Sequence, residues 1–466
     1  QNDPQRPVFS MERYRSDISH KYDIINNPDV LKTEIAPSAL EGYRPDLLRD
    51  GAWYFEWVKE QLGQKYFNEI QSYANDERLM SISATDTSAL VIMPVSALSD
   101  QVNIYNTLEM YNAQQGNAIE NIPILLWINV LEDKLLNSKN IEFCDATTRA
   151  IHQAKKDFTR LNVIDMYHIL PSEEVAETLD TGGPWGLLMR KAYDIASMAA
   201  YSIARQSPTK SDVAIIRNDS DVVHLDPDYF ETYMESISHN MGPGIQGLSR
   251  FGATDHKEPN YPGLSLVMNF LNKLDLYTGD RCRFQAANFA INASAYCQMG
   301  GMGYPYFTGI GSCDALLGER LKAVTDISNG TVRDASSIIQ PIDAKLVTDW
   351  SRPLAAYLSE GDPQRAWTTW SDSASGLKQR HDDLSTNNSY AQSDREDIDT
   401  SIRRVEQHIT RLTERLDVDM AATLLQDFFK ESNLYSLDQD FTFTGEGIDY
   451  FHRYYLSELP YQKYAS

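Results

Sequence analysis

Two carboxylates separated by one residue, Asp219 and Asp221, follow closely on the apolar run Val213-Ala214-Ile215-Ile216. A strand that ends in Asp-Ser-Asp delivers both side chains to one rim of a sheet, where they can share a divalent cation directly or through water. Such a hard ion takes oxygen ligands and commonly keeps positions open for substrate phosphates. The spacing alone is weak, because a chain with 66 Asp and Glu produces it by chance as a solvated loop. Its position after the fourth apolar run gives it weight. His256, in Thr254-Asp255-His256-Lys257, and His452 are candidate third ligands, although a single His is more often an ordinary surface or core residue.

Four segments then occur in a telling order. Val91-Ile92-Met93-Pro94-Val95 is an apolar strand running into Pro-Val, and Asp219-x-Asp221 follows. Next comes Ala287-Asn288-Phe289-Ala290-Ile291-Asn292 with Tyr296, Gly300 and Gly301. Last, Cys313-Asp314 precedes Gly318-Glu319-Arg320-Leu321. Over roughly residues 88–325 this order resembles the GT-A-fold nucleotide-sugar glycosyltransferases, in particular the large inverting, synthase-like family. The resemblance implies a Rossmann-like, doubly wound mixed sheet and a sugar moved from a nucleoside diphosphate to a hydroxyl. It implies a metal, Mn²⁺ or Mg²⁺, on Asp219 and Asp221, and donor contacts from Pro94, Val95, Asp100, Asn129, Asp133, Arg190 and Asp219. Asn288, Gly300 and Gly301 would line the acceptor side. The chain departs from the pattern in three places. Cys313 stands where an acidic pair has Glu, Leu316 replaces the Asp of the helix motif, and the second strand ends Asn129-Val130-Leu131-Glu132-Asp133.

The chemistry can also be argued from the residues. Transfer from a nucleoside diphosphate needs the departing diphosphate stabilised, which a metal does as a Lewis acid. It also needs the attacking hydroxyl deprotonated. Asp314, after the loop Gly309-Ile310-Gly311-Ser312 and ahead of a helix, is placed to accept that proton. One displacement of this kind inverts the anomeric centre. The plainer reading makes Asp314 a carboxylate that favours a helix N-terminus. Asp100 and Asp133 at the ends of the first two strands are equally well explained as solvated loop acids. Gly182-Gly183-Pro184-Trp185-Gly186, followed by Arg190 and Lys191, is similar to the segment under the donor diphosphate in related enzymes, and is also an ordinary turn and helix start. Arg333 and Arg352 are further candidates for phosphate or a sugar carboxylate.

These residues need a scaffold, and the hydropathy pattern supplies one. Short apolar runs at 89–93, 122–128, 163–166 and 213–216 alternate with helical stretches at 102–114, 145–158 and 186–204. That alternation predicts an α/β fold with a mostly parallel sheet. Ligands of such sheets lie outside the carboxyl ends of the strands, which points at 94–100, 129–133 and 218–221. Residues 1–85 read as a helical extension whose helix covers 53–73, 86–345 as the catalytic domain, and 346–466 as a helical region. Within the last, 371–400 is a polar loop or linker. Apolar positions Ile398, Ile402, Val405, Ile409, Leu412 and Leu416 form a short heptad pattern, packed on the body of the protein or used in a homo-oligomer contact. The aromatic end Tyr450-Phe451-His452-Arg453-Tyr454-Tyr455 either covers a site or anchors the terminus.

Composition narrows the partners. Of 466 residues, 42 are Lys or Arg and 66 Asp or Glu, a formal net charge of −24 that opposes nucleic acid and anionic membranes. No run approaches the roughly 18 apolar residues of a membrane span. Cys144, Cys282, Cys297 and Cys313 show no metal-ribbon or disulfide spacing, which fits a reducing, cytoplasmic compartment. No signal-peptide pattern opens the chain, and it begins at Gln1 rather than Met, which leaves a removed segment open. Two other readings stand beside the inverting transferase: a retaining enzyme on the same fold, and a sugar-nucleotide-binding or scaffolding protein without catalysis. A nucleotidyltransferase is weaker, since no glycine-rich loop followed by Arg and Lys lies near the first strand.

Overall fold

A computed structural model describes Leu48 and residues 52–82, 86–178, 185–207, 212–239, 242–252, 284, 288–302, 317–318, 321 and 338–349. The expectations for Gly182, His256, Asp314, Arg333, Arg352, the 371–400 linker, the 398–416 heptads and the 450–455 aromatic end lie outside the described residues. Helix α1 covers Ala52–Ala74 and is broken at Gly63, whose φ of 90° no helix contains. A single turn, α2 (Glu77–Met80), is capped by Asp76, which accepts from the Arg78 N–H at 2.8 Å. Strand β1 (Ala89–Ser96), helix α3 (Asn103–Asn112), strand β2 (Ile124–Leu131), helix α4 (Ser138–Asp157) and strand β3 (Val163–Leu170) follow. Next come α5 (Ser172–Thr178), α6 (Trp185–Gln206), β4 (Ala214–Arg217), β5 (Val222–Leu225) and α7 (Tyr229–Ser238). Strands β6 (Gly244–Gly252) and β7 (Phe289–Asn292), helix α8 (Ala293–Gln298) and strand β8 (Ile339–Asp349) complete the series.

The described strands form one mixed sheet in the order β3-β2-β1-β4-β7-β6-β8-β5. Strands β1, β2, β3 and β4 are mutually parallel, with Val91 opposite Ile124 and Ile92 opposite Arg217. Strand β7 runs antiparallel to both β4 and β6. Parallel strands covered by helices on both faces must be apolar on both sides, and β1 is buried at every position but its last. Leu90 and Ile92 face α6 and α1 in one core, whereas Val91, Met93 and Val95 face α3, α4 and α7 in the other. Helix α3 needs only one apolar stripe, Ile104, Leu108 and Tyr111. Helix α6 is buried almost all round because α1 covers its outer side. Helix α1 therefore lies in the same core as the sheet.

Pro94 in a central strand has a local explanation. Val91 donates its N–H towards β2, to the Pro123 carbonyl at 2.9 Å, and Ala97 donates to Asn129 at 3.0 Å. Odd positions thus face β2, and even ones face β4. Pairing with β4 ends at Ile92–Arg217, so Pro94 falls where the β4 side no longer asks for a donor.

Two boundaries differ from the sequence expectation. Helix α4 begins at Ser138, not Asp145, because the Asn137 side chain accepts from the Lys139 N–H at 3.0 Å and caps a polar first turn. Strand β3 continues to Leu170, with His168 and Leu170 inward and Tyr167 and Ile169 outward. The inward histidine hides the period of two.

By its contacts the chain divides into two compact units, 1–248 with 282–346, and 249–281 with 347–466. The first holds every helix described above. Of the second, the described residues are 249–252 and 347–349, the ends of β6 and β8. No helix among the described residues is long and apolar enough to cross a membrane.

Candidate functional site

The carboxyl ends of β1, β2 and β4 lie side by side, with Ser96 opposite Asn129 and Arg217 closing the β4 ladder. The chain leaves β4 through Asn218-Asp219-Ser220-Asp221 and enters β5 at the far edge of the sheet. This acidic loop is held at three points. Asn218 is fully buried, donates its N–H to the Ile92 carbonyl at 3.2 Å, and donates its side-chain amide to the Tyr229 hydroxyl at 2.9 Å. The Ser220 hydroxyl donates to Asp100 Oδ2 at 2.6 Å. The Ser220 carbonyl accepts from the Thr107 hydroxyl at 2.8 Å. Neither Asn218 nor Ser220 can move without breaking buried hydrogen bonds.

Asp219 points differently. Arg217 Nη2 donates to its Oδ1 at 2.6 Å, and the arginine is 1% exposed while the aspartate is 30% exposed. The guanidinium packs over the Trp185 ring, 5.6 Å from its centroid, with Met189 Sδ 3.6 Å from Nη1. Asp219 is thus anchored from below by a charge-assisted bond and open above. Asp221 is 7% exposed. Burial pushes the phenol of nearby Tyr111 well up, and the charges of Tyr229 and Asp219 add to the shift.

The donor set suits a hard cation. The loop offers the half-open Asp219 carboxylate, Asp221, and the buried Asn218 Oδ1, which has no hydrogen-bond partner among the described residues. A buried oxygen without a donor needs an explanation such as an ion or water. Among the described residues no group of three or more His, Cys, Asp and Glu side chains could hold a metal. An ion here would be held in the manner of magnesium, by one or two carboxylates with phosphate and water completing its shell.

The other expected residues scatter. Pro94 and Val95 are buried in β1 beside the loop. Asn129 donates its side-chain amide to the Val95 and Trp127 carbonyls, both at 3.1 Å, and so fastens the β1–β2 rim. Asp133 is exposed in the short 3-10 turn Glu132–Leu136. Asp100 is 3% exposed, and its Oδ2 accepts from the Ser96 N–H at 2.6 Å as well as from Ser220, so it serves the loop rather than facing solvent.

Arg190 does not face an open phosphate site. It is 2% exposed, with Nε on Asp194 Oδ2 at 2.8 Å, Nη2 on the Tyr54 hydroxyl at 3.0 Å, and Nη1 on the Gly300 and Met302 carbonyls. Gly300 and Gly301 end α8 with φ of 76° and 72°. A Cβ on Gly301 would lie 2.5 Å from the Tyr54 hydroxyl and 2.7 Å from Arg190 Cζ, so the glycine is needed for packing on that arginine. Asn288 is fully buried; its Oδ1 accepts from the Tyr229 and Tyr233 hydroxyls, both at 2.7 Å, and its Nδ2 donates to the Ala344 carbonyl at 2.8 Å. Arg190, Asn288, Gly300 and Gly301, expected to meet donor or acceptor, are all buried, and their polar groups are bonded within the core. Lys191 likewise is 1% exposed and bonded to Glu69 and Glu174.

Sequence reasoning passed over Thr107, Ser220 and Tyr229. Nothing in the sequence marks a threonine in α3 as a partner of a loop 113 residues away. Arg217 left a trace: an arginine as the last residue of a buried strand needs a carboxylate close by, and Asp219 is two residues on.

No protein-family profile matches the chain, and no curated protein sequence matches it. Among solved structures it is similar to a mannosyltransferase from Pyrobaculum calidifontis, PcManGT, in complex with GDP-Man and Mn²⁺ (13% identity, TM-score 0.34, covering 84% of this chain and 96% of that one). It is also similar to S. aureus TarS 1–349 in complex with UDP-GlcNAc (10% identity, TM-score 0.32, covering 80% and 82%). At that identity and score the likeness carries no argument about this chain, and its own geometry must.

Proposed function

We propose that this protein is a glycosyltransferase that moves a sugar from a nucleoside-diphosphate sugar to a hydroxyl acceptor on a GT-A-type sheet. The observation that carries the reading is the Asp219–Asp221 loop, set on the carboxyl rim of parallel strands and locked at Asn218 and Ser220 while the Asp219 carboxylate stays half open. A locked pair of hard oxygen donors at the crevice of an α/β sheet suits a substrate that brings its own phosphates.

Asp219 and Asp221 hold the divalent cation, Mn²⁺ or Mg²⁺. When bound, that ion supplies Lewis-acid stabilisation of the departing diphosphate. Arg217 fixes the orientation of Asp219 from beneath. Asp314 takes the proton of the acceptor hydroxyl as its oxygen bonds to the anomeric carbon, the bond to diphosphate breaks, and the centre inverts. With a net charge of −24 in the chain, the ion also offsets the repulsion a diphosphate would meet.

The test uses Asn rather than Ala, since Asp219→Ala would leave the buried Arg217 guanidinium without its acceptor. The double variant Asp219→Asn/Asp221→Asn is expected to melt near the wild-type temperature and to lose the Mn²⁺-dependent thermal shift given by nucleoside-diphosphate sugars. A shift that survives in the double variant rejects the site. Asp314→Asn is expected to keep donor binding and lose transfer, and transfer at the wild-type rate would move the base elsewhere.

A further inference from the structure

We infer that Asp100 and Thr107 are positioning residues for the acidic loop: together they clamp Ser220 and thereby set the spacing of the Asp219 and Asp221 carboxylates. The inference rests on the donor-site reading above and extends it to two side chains that touch neither donor nor metal.

The geometry is specific. Asp100 sits in the turn after β1, where its N–H donates to the Ser96 carbonyl at 3.1 Å and its own carbonyl accepts from the Ile104 N–H at 2.9 Å. Its carboxylate turns back over that bend. One oxygen, Oδ2, accepts both the Ser96 N–H and the Ser220 hydroxyl, each at 2.6 Å, while Oδ1 lies 3.4 Å from the Ser99 hydroxyl. On the other side of Ser220, α3 presents Thr107, fully buried, whose hydroxyl donates to the Ser220 carbonyl at 2.8 Å.

The middle residue of Asp-Ser-Asp is therefore held by its side chain and by its backbone from two different elements. The bond to its carbonyl fixes the peptide plane that leads to Asp221, and the bond to its hydroxyl fixes the side-chain direction of the residue that follows Asp219. A two-carboxylate site pays for misplacement directly, because an ion with only two protein ligands loses affinity when either one turns away.

The two hydrogen bonds converge on a single oxygen, which separates positioning from charge. Asn at 100 can place its amide oxygen at the Oδ2 position and keep both bonds, with its amide nitrogen towards Ser99. It removes the negative charge as completely as Ala does.

The experiment measures binding of Mn²⁺ alone to the full chain, by the electron paramagnetic resonance signal of the free ion, with a thermal melt of each variant alongside. Asp100→Ala is expected to weaken Mn²⁺ at least tenfold, and Asp100→Asn to stay within about threefold of wild type. Thr107→Val, which keeps the shape of the side chain, is expected to fall between them, and it carries the test should Asp100→Ala not fold. Wild-type affinity in both folded Asp100→Ala and Thr107→Val overturns the clamp, and so does an Asp100→Asn as weak as Asp100→Ala. Asp219→Asn/Asp221→Asn is measured in the same series. If that double variant binds Mn²⁺ normally, the donor-site reading fails; if it does not bind while folded Asp100→Ala and Thr107→Val both bind with wild-type affinity, the clamp alone fails.

Discussion

Arg190 with Asp194 and Arg217 with Asp219 are two arginine–aspartate pairs of similar sequence spacing, and the fold uses them in opposite ways. Asp194 is wholly buried and accepts four hydrogen bonds. Tyr54 and Tyr296 reach Oδ1 at 2.7 and 2.9 Å, and Tyr66 and Arg190 reach Oδ2, both at 2.8 Å. Burial pushes all three phenols well up, so they remain neutral donors. Asp219 accepts one hydrogen bond among the described residues, from Arg217, and is 30% exposed. In the first pair every polar atom is used to join α1, α6 and α8. In the second the buried arginine anchors the aspartate, which stays partly open. A carboxylate that the fold anchors without saturating is the one available to a ligand.

The largest effect should come from the saturated pair. Asp194→Ala leaves a buried guanidinium uncompensated and three tyrosine hydroxyls without acceptors, and breaking a buried pair in this way costs about 3–5 kcal/mol. Chemical denaturation of the variant should show that loss, together with separation of α1 from the sheet seen as raised amide exchange in 52–74. A loss below about 1 kcal/mol would mean that the pair is no more structural than an exposed one.

A second charged cluster, around Glu69, gives a smaller effect with a pH signature. Glu69 of α1 accepts from Lys191 at 2.9 Å on each oxygen and lies 2.8 Å from His168 Nε2. Burial works to raise the Glu69 carboxyl, but the bonds from His168 and Lys191 and their charges overcome it and hold the carboxyl at about 2, against an ordinary 4.5. A carboxyl lowered by folding stabilises the native state fully above its unfolded value. That stability is lost as pH falls from about 4.5 towards 2, and it amounts to roughly 3 kcal/mol at most. Glu69→Gln should flatten the acid limb of a stability–pH curve between those values and lower the plateau above pH 5. An acid limb of unchanged slope would place the proton uptake elsewhere.

The two pairs also show what the sequence could disclose. The sheet was legible because four apolar runs alternate with helical stretches, and both cores follow from burial of β1 on two faces. The acidic loop was legible because strand order fixes where a β4 terminus must lie. Arg190, Asn288, Gly300 and Gly301 look functional in sequence, since cations, amides and glycines are what substrate sites use. The fold bonds Arg190 to Asp194 and Tyr54, packs Gly300 and Gly301 on that arginine, and gives Asn288 to Tyr229 and Tyr233. Such long-range satisfaction of buried groups has no periodic trace in a chain. Asp100 lies after β1, on the rim that the carboxyl-end rule names, but its partner, Ser220, was visible only as the unremarked middle of a motif.

The smallest predicted effect is the sharpest test of whether saturation and function are separable. Tyr229 and Tyr233, one turn apart on α7, both donate to Asn288 Oδ1 at 2.7 Å. Of the two, Tyr229 is the one that accepts from the Asn218 amide that begins the acidic loop. Removing either hydroxyl deletes one buried hydrogen bond, worth about 1 kcal/mol, so Tyr229→Phe and Tyr233→Phe should lose similar stability in denaturant. Asn218 already has one side-chain oxygen without a partner, and Tyr229→Phe leaves its amide without one as well. The loop then has reason to move, whereas Tyr233→Phe leaves it held. Mn²⁺ binding should therefore weaken severalfold in Tyr229→Phe and stay at the wild-type value in Tyr233→Phe. Equal binding in the two variants would show that the loop keeps its geometry through Asp100 and Thr107 alone, and that the tyrosine network belongs wholly with the structural pair.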